Sequence, residues 1–378
     1  PPGTGKTYSS AKIIIELIKM GKKVGVTSNS HEAIKTLLIA IEQQAKSQDF
    51  EFSGMRKAKS SDKYDWNFIK DVTTSKPLDM EDYSLYAGTS WFFVDPRMNK
   101  TLDYLFIDEA GQVALGTTIA NATSAKNLIL IGDQMQLSQP MRAKHEGYAR
   151  MSSLDFILEN EDTISASRGI FLNITRRLNN KICNFISSSF YDSRLTPDPI
   201  TKTRSVNLKL DPIKNEGLFY VPIEHSGCSQ RSDEEADLVE KTYNKIINKE
   251  FKVGETAGKI STKDIMVVAP YNAQANNIRE RLKKKFKDKV RVGTIDLFQG
   301  QEAKVVLISM TTSDVESLPR HKDFFFSRNR LNVAISRAEC VAIIIFNENL
   351  LLASASSIKE MKLMNSFCKL LEFKTNYN

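Results

Sequence analysis

The chain opens on Pro1-Pro2-Gly3-Thr4-Gly5-Lys6-Thr7, the pattern G-x-x-x-x-G-K-[ST] lacking only its first glycine, which would stand immediately before Pro1. No other feature restricts the fold as strongly. Glycines let backbone N–H groups approach phosphate oxygens, Lys6 places a cation on the β and γ phosphates, and Thr7 offers a hydroxyl to Mg²⁺. Gly3, Thr4, Gly5, Lys6 and Thr7 are therefore candidate nucleotide-binding residues, with Thr7 also a candidate metal ligand. A phosphate loop normally joins a buried parallel strand to a helix whose N-terminus faces the anion. That strand has no counterpart before Pro1, so the sequence reads as a fragment whose upstream segments and targeting signals are outside it.

Downstream, Tyr8 to Lys19 carries Ile14, Leu17 and Ile18 among good helix formers and is closed by Gly21. Lys23 to Ser28 is strand-like, His31 to Ala45 helical, and Leu102 to Ile107 and Asn127 to Ile131 are apolar strands. From Gln43 to Asp82 the pattern breaks into a polar, Lys-rich stretch, read as an insertion. A second alternating block has strands at 218–222, 265–269, 290–295, 305–310 and 341–346 and helices near 234–247, 273–285 and 329–338. Alternation of this kind implies parallel sheets covered on both faces. The expectation is two α/β domains in tandem, 1–173 and 174–378.

Composition agrees with a globular chain. The 378 residues are 41% hydrophobic and 26% charged, which excludes disorder and collagen-like repeats. The longest apolar run, Cys340 to Phe346, is far short of the roughly 20 residues that span a bilayer, so no membrane is expected. Fifty-three Lys and Arg against 45 Asp and Glu leave a net charge of +8, which favours a polyanionic partner such as nucleic acid. Cys183, Cys228, Cys340 and Cys368 show no C-x-x-C spacing, and His31, His145, His225 and His321 show no metal-ligand spacing with them or with each other. A reducing, cytoplasmic setting is expected, with no metal beyond Mg²⁺.

The phosphate loop gains its meaning from Leu105-Phe106-Ile107-Asp108-Glu109-Ala110, an apolar strand ending in two acids. Asp108 would hold Mg²⁺, directly or through water, and Glu109 would orient and deprotonate the attacking water. Together the two segments imply NTP hydrolysis.

With Asp108-Glu109-Ala110-Gly111-Gln112 in view, the chain resembles a superfamily 1 helicase of the 5′-to-3′ subfamily. That group contains the nonsense-mediated-decay helicase and the helicase half of the Okazaki-fragment nuclease-helicase. The resemblance runs from Pro1 to about Phe346. It implies two RecA-like P-loop NTPase domains, ATP in the cleft between them, and single-stranded nucleic acid across their top. Within Gly132-Asp133-Gln134-Met135-Gln136-Leu137, Gln136 is implied as the γ-phosphate sensor. In Thr175-Arg176-Arg177-Leu178, Arg177 is implied to reach ATP, while Arg176 stands where the family often has an adenine-stacking tyrosine. In Val292 to Glu302, Thr294 is implied to meet the nucleic-acid backbone and Gln299-Gly300-Gln301-Glu302 to contact ATP, with Glu302 a ribose partner. Asn332 to Ala338 resembles the last helicase motif, with Arg337 as arginine finger.

The nucleic-acid face would draw on Ser28 and Asn29 within Thr27-Ser28-Asn29-Ser30, Thr89 within Gly88-Thr89-Ser90, and Pro270 within Pro270-Tyr271-Asn272. A cap or turn role is the alternative for each. Trp91-Phe92-Phe93 and Phe324-Phe325-Phe326 are read as core packing in preference to base-stacking platforms, and Arg281 to Arg291, with seven basic residues in eleven, as a solvated helix face. The wording of Pro1 to Leu38 and of Asp108 to Ala114 resembles bacterial helicases that follow a RecB-like nuclease domain, which favours DNA over RNA and suggests such a domain upstream. An RNA helicase, or an ATP-switched remodeller of RNA–protein complexes without processive unwinding, is the rival reading. A small-molecule kinase fails to account for the second block.

Overall fold

The computed structural model describes residues 1–73, 82–138, 146–159, 161–210, 213–313, 326–355 and 357–375. His145, His321, Phe324 and Phe325 lie outside the described residues. Two compact units are present. One comprises Gly5–Gln134 and Ser138–Phe171, and the other comprises Leu172–Asn378 together with Pro1–Thr4 and Met135–Leu137.

The first unit runs α1 (Lys6–Lys19), β1 (Val24–Thr27), α2 (His31–Lys46), β2 (Gly54–Ala58), β3 (Ile69–Thr73), β4 (Leu85–Ala87), α3 (Ser90–Phe93), β5 (Leu102–Ile107), α4 (Leu115–Ala122), β6 (Ala125–Leu130) and α5 (Ser153–Leu158). Its sheet has the order β3-β2-β4-β1-β5-β6, with every pair parallel. All four residues of β1 are buried, as parallel strands covered on both faces require. Helix α1 buries Ala11, Ile14, Ile15 and Ile18 and ends at Gly21, whose φ of 71° a side chain would resist. Helix α2 starts at Ser30, whose hydroxyl accepts from the Ala33 N–H at 3.0 Å, and buries Ile34, Leu37, Leu38 and Ile41.

The polar stretch read as an insertion contains two strands of this sheet, β2 and β3, and β2 stands between β3 and β4. Their polarity is buried in pairs. Arg56, 1% exposed, donates from Nε to Asp71 Oδ1 at 2.7 Å and from Nη2 to Asp71 Oδ2 at 3.0 Å. Glu42, also buried, accepts from the Asn67 and Phe68 N–H groups at 2.8 and 2.7 Å and so ties the entry to β3 against α2. Charge satisfied in this way removes the alternation that would mark a strand.

The second unit runs β7 (Ile174–Thr175), α6 (Asn180–Phe190), β8 (Thr196–Pro197), β9 (Ser205–Val206), β10 (Gly217–Pro222), α7 (Asp233–Ile246), β11 (Glu250–Val253), β12 (Thr256–Lys259), β13 (Ile265–Val268), α8 (Asn272–Phe286), β14 (Arg291–Gly293), β15 (Ala303–Ser309), α9 (Arg328–Ser336), β16 (Ala338–Phe346) and α10 (Ile358–Thr375). The main sheet, β10-β16-β15-β13-β14, is parallel throughout, and β12-β11-β9 forms a small antiparallel sheet beside it. The core joins Val239 and Tyr243 of α7 and Ile278 and Leu282 of α8 to Val267, Leu307 and Ile343 of the sheet. Mixed α/β units with parallel sheets are the fold class read from the sequence. Among the described residues, no helix is long and apolar enough to cross a membrane.

Candidate nucleotide and nucleic-acid site

In the first unit the register aligns Thr27 with Ile107 and Ile107 with Leu130. The residues that follow these strands therefore gather along one edge of the sheet, where open parallel sheets receive ligands. Asp108 and Glu109 follow β5 directly, Ser28 and Asn29 follow β1, and Gly88 and Thr89 follow β4. Lys6 and Thr7 form the first turn of α1, which Gly5 opens in the left-handed region at φ 78°, with no side chain capping the helix. A helix N-terminus presents backbone N–H groups of the kind that face anions.

Asp108 is held at both ends of its backbone and side chain. Its N–H donates to Thr27 O at 2.9 Å and its Oδ1 accepts from the Glu109 N–H at 3.0 Å. Burial, and then the Glu109 charge, push its carboxyl up to about 6, while the Glu109 N–H and the Lys6 charge work the other way. Glu109 lies at φ 54°, a conformation that costs an L residue on the order of 1–2 kcal/mol. The turn redirects the chain into the Ala110 N–H bond to Ile131 O at 2.8 Å.

Among the nucleic-acid candidates of this unit, Ser28 is 2% exposed and its hydroxyl has no hydrogen-bond partner, as is true of Thr27 Oγ1. Asn29 is exposed and donates from Nδ2 to Gln112 O. Thr89 precedes α3 with its hydroxyl not used as a cap. Trp91 corrects the core reading: it is 86% exposed, while Phe92 and Phe93 beside it are buried. A helix turn splits the triplet, since consecutive positions on it face different ways. Phe326 is buried as read.

In the second unit, Gly3 O accepts from the Arg176 N–H at 2.8 Å. A Cβ on Gly3 would lie 2.4 Å from Arg177 Cβ, so only glycine allows this approach. Arg177 donates from Nε to Glu302 Oε2 at 2.6 Å. Arg176 is exposed and pairs with Asp198 at 3.2 Å. Arg337, buried, donates from Nη1 to Gln301 O at 3.3 Å. Gly300, at φ 76° with open space at its Cβ direction, makes the turn between Gln299 and Gln301. Gln136 is buried and its carbonyl accepts from Asn329 Nδ2 of α9, while Asn332 Nδ2 donates to Met135 O at 2.7 Å.

The register also sorts these residues. Ala303 pairs with Ala338, so Gln301, Glu302 and Arg337 sit before β15 and β16 at the edge where those strands begin. Val268 pairs with Gly293, so Pro270 and Thr294 lie beyond the opposite edge. Thr294 precedes a 3₁₀ turn and its side chain does not cap it. Pro270 is half-buried and lines an apolar cavity with Ile295, Met310, Phe326 and Phe367. The reading of the Arg281 to Arg291 run as a helix face holds only to Phe286, where α8 ends and where Arg281 reaches Asp233 at 2.7 Å; Lys287 and Lys289 lie in a 3₁₀ turn and Arg291 begins β14.

Sequence reading passed over Arg204, which donates to Arg177 O at 2.8 Å, Arg176 O at 2.7 Å and Glu339 Oε2 at 3.0 Å. It shapes the backbone around both arginines. Nothing local marks it, because its partners are 27, 28 and 135 residues away. The reading of the histidines also needs correction. His225, Cys228 and Glu234 have ligating atoms within 4.8 Å of one another, and the H-x-x-C spacing of the first two was the available signal.

A family model described as an AAA domain matches residues 151–349, just over half of the chain. The chain belongs to the AAA domain family. A second model, the helicase domain of RNA cytidine acetyltransferase NAT10/TcmA, matches residues 1–136. The AAA-domain chain is 30% identical to the DNA polymerase alpha-associated DNA helicase A of Schizosaccharomyces pombe, over 65% of this chain and 37% of the relative. It is 25% identical to the DNA replication ATP-dependent helicase/nuclease DNA2 of Saccharomyces cerevisiae, over 98% of this chain and 25% of the relative. It is also 25% identical to the regulator of nonsense transcripts 1 homolog of Neurospora crassa, over 93% of this chain and 35% of the relative. The chain thus spans between a quarter and two fifths of the length of these relatives. They bear out the resemblance to superfamily 1 helicases of the nonsense-mediated-decay and Okazaki-helicase type.

Proposed function

We propose that the chain is the motor of an ATP-dependent helicase or translocase that moves 5′ to 3′ on single-stranded DNA. The observation that carries this reading is the grouping at one sheet edge of Asp108, Glu109 and the α1 N-terminus, with the Lys6 charge acting on the Asp108 carboxylate. In this reading Gly3, Thr4, Gly5, Lys6 and Thr7 bind the phosphates, and Glu109 takes the proton of the attacking water. Gln136, Arg177 and Arg337 stabilise the charge that develops on the transferring phosphoryl, and Gln299, Gly300 and Glu302 hold the rest of the nucleotide.

The donor set fits Mg²⁺. Burial and the Glu109 charge raise Asp108 well above the usual carboxylate range, and a divalent cation between Asp108 and the Thr7 hydroxyl would relieve both. Mg²⁺, when bound with ATP, supplies charge neutralisation on the β and γ oxygens.

Ser28, Asn29, Thr89, Pro270 and Thr294 are the proposed nucleic-acid residues. The hydroxyl and amide groups among them suit phosphates and carry little base information. A RecB-like nuclease domain upstream and a cytoplasmic setting complete the reading. An RNA substrate is the second reading, favoured by the match of residues 1–136 to a helicase domain of an RNA-modifying enzyme. The test is ATP-driven unwinding of duplexes with a 5′ or a 3′ tail, each made in DNA and in RNA, with Lys6→Ala as the inactive control. Unwinding of the 5′-tailed DNA is expected. Unwinding only from the 3′ tail overturns the direction, stimulation by RNA alone overturns the DNA preference, and equal activity in Lys6→Ala overturns the motor assignment.

A further inference from the structure

We propose that His225 and Cys228, on the loop between β10 and α7, and Glu234, in the first turn of α7, bind one zinc-class divalent cation. A ring nitrogen of His225, Cys228 Sγ and a Glu234 carboxylate oxygen lie within 4.8 Å of one another, and Sγ is 3.9 Å from Glu234 Oε2. A cation about 2.3 Å from the sulfur and about 2.1 Å from the oxygen fits that separation at an angle of roughly 125°, close to tetrahedral.

The second, independent observation is His225 itself. Its side chain is fully buried, its Nε2 lies 3.1 Å from Glu235 Oε1, and its Nδ1 is buried with no hydrogen-bond partner. A polar atom left so in a protein interior calls for an explanation. Glu235 is fixed as an acceptor, because it also takes hydrogen bonds from Ser309 Oγ at 2.6 Å and the Thr311 N–H at 2.8 Å. Its hold on Nε2–H leaves the Nδ1 lone pair free, the carboxylate–histidine arrangement that orients a metal-binding imidazole.

The loop is held in place before any cation arrives. The Cys228 N–H donates to Ser313 Oγ at 2.9 Å, the Ser313 N–H to Cys228 O at 2.9 Å, and Asn347 Nδ2 to His225 O at 2.6 Å. Gly227, at φ 68°, makes the turn that brings Cys228 back toward His225. Ser232 Oγ donates to Glu234 Oε2 at 3.0 Å and positions that carboxylate. Thiolate, imidazole and carboxylate together select zinc over magnesium or calcium. Cys228 is partly exposed and Glu234 exposed, which leaves an entry path and an open position for water.

The test uses the tag-free chain without nucleotide. One equivalent of cobalt should give a thiolate-to-cobalt charge-transfer band, and zinc affinity should be read by competition with a chromophoric chelator. Cys228→Ser should abolish the band and weaken zinc binding at least tenfold, and Glu234→Gln should weaken it without loss of fold by circular dichroism. Cys368→Ser, which removes an exposed thiol on α10, should change neither readout. Absence of the band in the folded wild type, or equal zinc affinity in wild type and Cys228→Ser, overturns the proposal.

Discussion

Arg177 Nε donates to Glu302 Oε2 at 2.6 Å, with the arginine mostly buried and the carboxylate half exposed. Two residues proposed to meet the same nucleotide therefore also pair with each other. Glu302→Gln is expected to raise KM for ATP with kcat within about threefold, whereas Arg177→Ala should lower kcat by about a hundredfold or more. The double variant should be no slower than Arg177→Ala alone, since contacting residues do not add. Steady-state ATPase kinetics on the four proteins decide it.

The left-handed turn at Glu109 gives a prediction in which stability and activity move in opposite directions. Glycine at this position removes the strain of φ 54°, so Glu109→Gly should raise the melting temperature by about 2–4 °C. It should also lower ATPase turnover by about 10² or more through loss of the general base. Glu109→Gln keeps the strain and removes only the charge that disfavours the Asp108 carboxylate, so its melting temperature should lie below that of Glu109→Gly while it loses the same activity. Thermal unfolding alongside turnover separates the two effects.

Asp108 should make stability depend on pH. Its carboxyl is pushed up to about 6 from 3.8, first by burial and then by Glu109, so the folded chain holds that proton more tightly than the unfolded one. The contribution is fully present below about pH 4 and is lost as pH rises through about 6. Asp108→Asn cannot ionise. Its stability advantage over wild type should grow across that window to at most on the order of 3 kcal/mol at pH 7. Denaturant midpoints at pH 4, 5, 6 and 7, without Mg²⁺, measure it, and a constant difference would refute the cause assigned here.

Arg337 is buried and donates to the backbone of Gln301, which precedes β15. As an arginine finger it should act on the transition state, so Arg337→Ala is expected to reduce kcat by about 10³ or more with nucleotide affinity within a few fold. Single-turnover hydrolysis and equilibrium binding of a fluorescent ATP analogue are the paired measurements. A change confined to binding would remove Arg337 from that role.

What the sequence made legible follows from how locally each signal is written. Val24–Thr27, Leu102–Ile107 and Val341–Phe346 were readable because each is a short segment rich in aliphatic or aromatic residues. Strands β2 and β3 were not, because Arg56 and Asp71 satisfy each other in the interior and the pairing spans 15 residues. Lys6, Asp108 and Glu109 stand in compact motifs. Arg204 depends on chain segments distant in sequence, the His225 cluster was written only as a short H-x-x-C spacing, and Trp91 depends on which way a four-residue helix faces.

The segment from Thr294 to Glu302 joins the two opposite edges of the second unit's sheet. Gly293 stands level with Val268 and Ile308, whereas Ala303 begins β15 five residues earlier along that strand. The return covers roughly 17 Å along the strands and about 10 Å across two strand spacings, or about 20 Å in all. The ten Cα-to-Cα steps from Gly293 to Ala303, four of them in a 3₁₀ turn, reach about 28 Å. The connection therefore carries about 8 Å of slack. A smaller shift at Thr294 is absorbed within it, and only a larger one would be felt at Gln301 and Glu302 as tension.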